Sequence, residues 1–242
     1  MWKKGKEQDG LEWIQYNRTE DGPITDWLDK HRPSVLKDSD GVAWISARKQ
    51  EINDGNSKYE DDGEGESQET LSVEAMKMDQ LSRMTNEWER LGLDATLDDA
   101  LYLASKYSIT AGKWKIFARP NRVDRIWKNI IIAMFQNKLK YVISAKVSPL
   151  NAFSNGSHLI CVYNKNFFNK EEVFEAETSL RKVYFGRKLV YKPDIFTYLG
   201  IYRQNKWNIN PTLFVSDGHG PKYSNVRPRH DDDVRHYRHN NN

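Results

Sequence analysis

The sequence has only one cysteine, Cys161, among its 242 residues. A single thiol excludes an intramolecular disulfide and a zinc site built from several cysteines. The residues around it, from Leu159 to Tyr163, are apolar, and a cysteine in such a run usually packs as a small hydrophobic residue. Thiol catalysis is therefore not expected.

Long apolar runs are also missing. No stretch approaches the ~20 apolar residues that a bilayer-spanning helix needs. Lys3 and Lys4 near the N-terminus are not followed by a hydrophobic segment, so the pattern of a secretory signal is absent. The sequence predicts a soluble protein of the cytoplasm or nucleus with no membrane partner.

The common catalytic motifs are absent as well. There is no HExxH pair, no glycine-rich phosphate loop, and no nucleophile and base at a recognised spacing. His158 and Asp194 are the side chains considered for chemistry, but Asp194 follows Pro193, where aspartate commonly caps a turn. We expect no enzyme activity, no cofactor and no metal. A small-molecule or phosphate-ester enzyme remains an alternative.

The charges that are present are unevenly distributed. Residues 1–110 contain 14 Lys and Arg against 24 Asp and Glu, a net charge of -10, whereas residues 111–242 contain 23 against 10, a net charge of +13. A basic half favours an anionic partner such as RNA. An ordinary solvated surface explains the same charges equally well.

Aromatic residues make up 12% of the chain, including eight Trp, which argues for a packed core. We predict one domain over residues 25–215, preceded by a flexible segment, 1–24, and followed by a disordered tail, 216–242. Eight acidic residues between 51 and 70, with Lys58 as the only basic one, predict a mobile loop inside the domain.

Hydrophobic periodicity predicts helices near 72–91, 98–107, 123–139 and 171–184. It predicts strands near 42–47, 113–118, 141–147 and 159–163, followed by extended segments at 188–192, 197–202 and 207–215. This order is typical of an α+β fold. We expect a curved, mostly antiparallel sheet with helices packed on its convex face.

Several blocks of residues resemble one known family, the basophilic-leukaemia-expressed proteins. They are Gly112 to Trp114, Ala145 to Pro149, Ile160 to Tyr163, and the long block from Tyr191 to Leu213. The resemblance extends over about residues 25–215. It implies a fold like that of translation initiation factor 4E, which holds an mRNA cap on the concave side of its sheet. The family has no established activity, so the resemblance raises an RNA hypothesis only.

Cap recognition needs two aromatic faces around the methylated base and a carboxylate that accepts from the guanine. In the 4E pattern, one Trp follows the first strand and a Trp-Glu pair precedes the Gly-Lys-Trp strand. Here Tyr59 is the only aromatic residue between Trp44 and Trp88, and no Trp-Glu pair precedes Gly112. Orthodox cap binding is not expected.

The remaining pattern favours a non-enzymatic protein that binds RNA or a nucleotide on the concave face. Basic residues near strand ends are the candidates for phosphate contacts: Lys146, Lys192, Arg203, Arg119 and Arg122. Aromatic residues among basic ones are the candidates for base stacking: Tyr198, Tyr202, Trp207 and Tyr59. Rim charges and core aromatics explain both sets equally well. A protein partner docked on the helical face, near Trp88 and Trp127, is the alternative.

Overall fold

The computed structural model describes residues 11–49, 68–186, 188–218 and 225–228, with the backbone alone for 68–75. Most of the predicted acidic loop, including Tyr59, and the end of the predicted tail lie outside these ranges. The chain divides into two compact units. The first comprises residues 1–49, 111–193 and 212–242, and the second comprises 50–110 and 194–211. The domain boundaries stay a prediction.

One sheet organises the first unit. Its strands are β1 (Glu12–Gln15), β2 (Val42–Arg48), β3 (Gly112–Ala118), β4 (Val142–Val147), β5 (His158–Asn164), β6 (Leu189–Pro193), β7 (Phe214–Ser216) and β8 (Val226–Pro228). They lie in the order β1-β2-β4-β5-β3-β6-β7-β8. Only β1 and β2 pair in parallel, and every other pair is antiparallel. The predicted α+β class with a curved, mostly antiparallel sheet is confirmed.

The described helices are α1 (Ile24–Lys30), α2 (Gln68–Arg90), α3 (Leu97–Lys106), α4 (Pro120–Phe135), α5 (Lys170–Leu180) and α6 (Ile195–Tyr198). In the first unit, α4 contacts β3, β4 and β5, and α5 contacts β5. Pro120 begins α4 at the position where its missing N–H costs nothing. Trp114 joins the sheet to α5, because its indole Nε1 donates to the Val173 carbonyl at 3.0 Å.

The start of β3 shows why a glycine stands there. A Cβ at Gly112 would lie 2.3 Å from the Tyr191 hydroxyl oxygen, closer than any real contact. That hydroxyl donates to Asn164 Oδ1 at 2.6 Å, and the Tyr191 ring packs edge-on against Trp114 at 5.1 Å between centroids. Gly112 therefore lets three neighbouring strands, β6, β3 and β5, close around one buried tyrosine.

The second unit contains α2, α3 and α6. Thr96 and Asp99 form a capping box at the start of α3. The Trp88 ring of α2 lies 4.9 Å from the Trp207 ring, and Trp207 Nε1 donates to the Gly92 carbonyl at 2.7 Å. These contacts fasten the segment after α6 onto the end of α2.

The structure corrects three local predictions. Residues 12–15 were expected to be flexible, yet they form β1. Residues 226–228 were expected in a disordered tail, yet they form β8. Residues 197–202 were expected to be extended, but α6 occupies 195–198. Its buried residues Ile195 and Phe196, with the buried C-cap Leu199, form its apolar side, but four residues are too few for a helical period to show in the sequence.

Candidate nucleic-acid interface

Strand register gathers the basic residues of the sheet on one side. One row of directly paired residues crosses the strands through Arg48, Ser144, Tyr163, Lys113 and Lys192. The adjacent row runs through Ser46, Lys146, Cys161, Lys115, Val190, Val215 and Arg227. Because directly paired residues point to the same side of a sheet, six basic side chains share one face. We call Arg48, Lys113, Lys115, Lys146, Lys192 and Arg227 the basic face.

The opposite side of the same strands is apolar. Trp114, Ile116, Ile160 and Val162 alternate with the residues of the two rows, and all four are buried. The bonded contact of Trp114 with α5 identifies this as the side that carries helices. The basic face is therefore the sheet surface turned away from α5.

The charged residues within strands β2 to β8 are all basic, although Arg227 forms an ion pair at 3.3 Å with Asp217, which follows β7. Strands β2 to β8 contain these six Lys and Arg residues and no Asp or Glu. Like charges gathered on one surface repel one another, and an anionic ligand removes that repulsion. The arrangement suits the binding of phosphate groups.

Lys115 is a half-buried lysine of the basic face whose surroundings disfavour its charged form. Burial lowers the pKa of its ammonium group, and two smaller effects follow: Cys161 raises the pKa, and the charge of Lys113 lowers it. Its Nζ lies 5.4 Å from the Phe117 ring centroid, and it has no hydrogen bond or ion pair with any described residue. A bound anion would stabilise its charged form.

An aromatic cluster adjoins the basic face at the β1 edge. The Trp13 and Trp44 rings lie 6.4 Å apart at 49°. The ammonium group of Lys146 lies 4.4 Å from the Trp13 centroid and 4.1 Å from the Trp44 centroid. The Lys146 ammonium group thus lies within cation–π distance of both indoles at once.

The predicted phosphate contacts are distributed between both units. Lys146 and Lys192 lie on the basic face, but Lys192 is only 4% exposed, whereas Lys146 is half-buried. Arg119 and Arg122 are exposed at the start of α4. Arg203 is exposed in the second unit. Lys146 and Lys115 are thus more accessible than Lys192 to a ligand on the sheet surface.

The predicted stacking residues that the structure describes belong to the second unit. Tyr198 is 49% exposed at the end of α6, and Tyr202 is half-buried. Trp207 already packs against Trp88, so part of its ring surface is taken. Tyr59 lies outside the described residues. Their stacking role stays a prediction.

The two residues considered for catalysis, His158 and Asp194, both take part in hydrogen bonds that involve the backbone. His158 is fully buried, and its Nδ1 lies 2.9 Å from the Ser148 carbonyl oxygen. The Asp194 carbonyl accepts from the backbone of Thr197 in the first turn of α6. No group of three potential metal ligands occurs in the part of the chain that the structure describes.

Sequence reasoning missed Trp13, Trp44, Lys113 and Lys115 as site residues. The alternation of lysine with apolar residues in β3 was visible, and it indicated that Lys113 and Lys115 share a face. The pairing of β3 with β5, and of β5 with β4, was not visible, although it brings Lys115 and Lys146 into one row. Trp13 was missed because β1 is only four residues long.

Among the described residues, no helix is both long enough and apolar enough to span a membrane. The chain is similar to solved structures of the translation factor eIF4E. A schistosome eIF4E in complex with m7GpppA and 4E-BP matches with a TM-score of 0.34 and 14% identity, over 44% of this chain and 58% of that one.

A second solved match is the eIF4E-3 of C. elegans in complex with the 4E-binding protein Mextli and a cap analog, with a TM-score of 0.30 and 13% identity. It covers 36% of this chain and 51% of that one. The chain thus matches little more than half of either solved protein. At TM-scores below 0.5 these matches support no conclusion about the ligands of this chain.

The family assignment has a broader basis. The model of the family described as basophilic leukemia-expressed protein Bles03 matches residues 2–200. That range includes β1 to β6 and all six described helices. The chain belongs to the basophilic leukemia-expressed protein Bles03 family.

Proposed function

We propose that the protein binds RNA or a nucleotide through the basic face, without turnover, in the cytoplasm or nucleus. The observation that carries the proposal is the basic face itself, with six basic side chains and no acidic residue in strands β2 to β8. Phosphate contacts from Lys and Arg supply most of the sequence-independent affinity for nucleic acid. Orthodox cap binding is not part of the proposal.

The two half-buried lysines of the basic face are the best-placed phosphate contacts. Lys146 and Lys115 are both opposite Cys161 on β5, so their Cα atoms lie two strand spacings apart, about 10 Å. Lys113 and Lys192 are buried beneath the surface and add to the positive potential. A phosphate chain that crosses the strands can therefore contact Lys146 and Lys115 together.

Binding of a short fluorescent oligouridylate, measured by anisotropy, tests the proposal. The variant Lys115→Gln with Lys146→Gln should bind about tenfold more weakly or worse, because two charge-assisted contacts are lost. The matched control is Lys128→Gln with Lys140→Gln, which removes the same charge from two exposed lysines paired with Asp29 and Glu175. Equal affinity of the two double variants would refute the site. Competition by UTP separates a nucleotide ligand from RNA.

A protein partner is the second candidate. Trp88 and Trp127, near which docking was predicted, are both buried, but other apolar residues of the second unit are exposed. Leu93 and Met76 are each 71% exposed, and Tyr102 is 61% exposed. Pull-down of partners before and after RNase treatment separates the two functions. Partners that survive RNase favour protein docking, and partners lost with RNase favour RNA.

A further inference from the structure

An exposed tryptophan lies where the basic face meets the sheet edge. Trp13 belongs to β1, the terminal strand of the sheet, and is 54% exposed. Its pairing with Trp44, and that of Ser46 with Lys146, place both indoles on the same side of the sheet as the basic residues. The large aromatic surface of Trp13 is thus in solvent, next to positive charge.

The position of the Trp13 ring is set by its neighbours. Trp44 contacts it from β2, and the Lys146 ammonium lies 4.4 Å from its centroid. Two fixed contacts restrict the orientation of the indole, so the accessible part of the ring is presented in a defined direction. A preorganised ring loses little conformational freedom when a planar ligand stacks on it.

We propose that Trp13 stacks on a base of single-stranded nucleic acid whose phosphates contact Lys146 and Lys115. The inference rests on the proposed function and adds the position at which a base is held. Proteins that bind single strands combine a positively charged track with aromatic side chains on which bases stack. A base inside a duplex has no free face, so the occupant is a single strand.

Three proteins and two probes test the inference. The proteins are wild type, Trp13→Leu, which keeps an apolar side chain but no ring, and Trp13→Phe, which keeps a ring. The probes are an oligouridylate and an abasic oligomer with the same number of phosphates. Phe185→Leu is the control, since Phe185 is 71% exposed and lies outside the strands.

Trp13→Leu should raise the Kd for oligouridylate about 5- to 100-fold, the range expected for loss of one base–aromatic stack. It should change the Kd for the abasic oligomer far less, because Lys146 keeps its cation–π contact with Trp44. Trp13→Phe should recover most of the lost affinity, and Phe185→Leu should behave as wild type. If Trp13→Leu binds oligouridylate like wild type, the stacking role is wrong. If wild type still binds both probes in that case, the proposed function stands.

If wild type binds neither probe, both the proposed function and the stacking role of Trp13 are wrong. Equal affinity of wild type for duplex and single-stranded RNA also overturns the stacking role. A readout that needs no destabilising change is the 19F spectrum of protein labelled with 5-fluorotryptophan, with the Trp13 signal assigned from Trp13→Phe. That signal should shift with oligouridylate and stay fixed with the abasic oligomer. An unchanged signal with both probes contradicts stacking.

Discussion

At the scale of single residues, Lys115 differs from the surface lysines of the same chain. Lys140 is exposed and pairs with Glu175, so the pKa of Lys140 is raised. Lys115 has the opposite surroundings, because burial lowers the pKa of Lys115. Its positive charge is therefore lost at a lower pH than that of an ordinary lysine.

The lowered pKa predicts a pH-dependent affinity. Below the Lys115 pKa the ammonium is charged and attracts phosphate, and above it the neutral amine does not. Affinity for oligouridylate should thus fall as the pH rises through that pKa, before ordinary lysines titrate. Lys115→Arg stays charged at every accessible pH and should remove this step while it keeps the affinity at neutral pH.

The measurement is anisotropy between pH 7 and about pH 10, within the range that precedes ordinary lysine titration. Lys140→Arg is the control, and its profile should follow that of wild type. If wild type and Lys115→Arg have superimposable profiles, Lys115 does not contact the ligand.

At the scale of elements, the segment after α6 has two possible roles, base stacking and stabilisation of the second unit, and the contacts of Trp207 distinguish them. The sequence predicts a stacking residue there, because Trp207 lies among basic residues. In the structure its ring packs on Trp88, and its indole N–H donates to the carbonyl of Gly92. These contacts indicate that Trp207 stabilises the second unit.

Trp207→Ala should therefore reduce the free energy of unfolding by about 3 kcal/mol, the low end for removal of a large aromatic side chain, because Trp207 is only half-buried. Tyr198→Ala, at a 49% exposed position, should change it by about 0.5 kcal/mol or less. Urea denaturation gives both values. A Trp207→Ala protein that keeps its stability but loses RNA binding would favour the stacking role instead.

The elements also show how far sequence reasoning reaches. The long helix α4 was predicted well, because Val123, Trp127, Ile130 and Met134 form a continuous buried stripe. The short elements β1, β8 and α6 were not predicted, since three or four residues are too few to establish a period. Their conformation depends on pairing and packing with distant parts of the chain.

At the scale of the whole molecule, folding is what gathers positive charges of residues 111–242 on one surface. Lys113 and Lys115 on β3, Lys146 on β4, and Lys192 on β6 come from separate strands that antiparallel pairing brings onto one face. The sequence predicts the amount of charge and the class of fold. It does not predict strand order, and strand order is what makes the basic face.

Salt dependence measures how many of these charges a ligand neutralises. Four members of the basic face are not fully buried, namely Arg48, Lys115, Lys146 and Arg227, and a phosphate at Arg227 would replace its ion pair with Asp217. If each contacts one phosphate of a single strand, the logarithm of the binding constant should fall against the logarithm of the salt concentration with a slope of about -3.

Loss of two contacts in Lys115→Gln with Lys146→Gln should reduce that slope to about -1.5, while Lys128→Gln with Lys140→Gln should leave it near -3. Both double variants have the same net charge, so a difference between them can come only from where the charge lies. Identical slopes would mean that the ligand responds to the overall charge of the protein, and that the basic face is not where it binds.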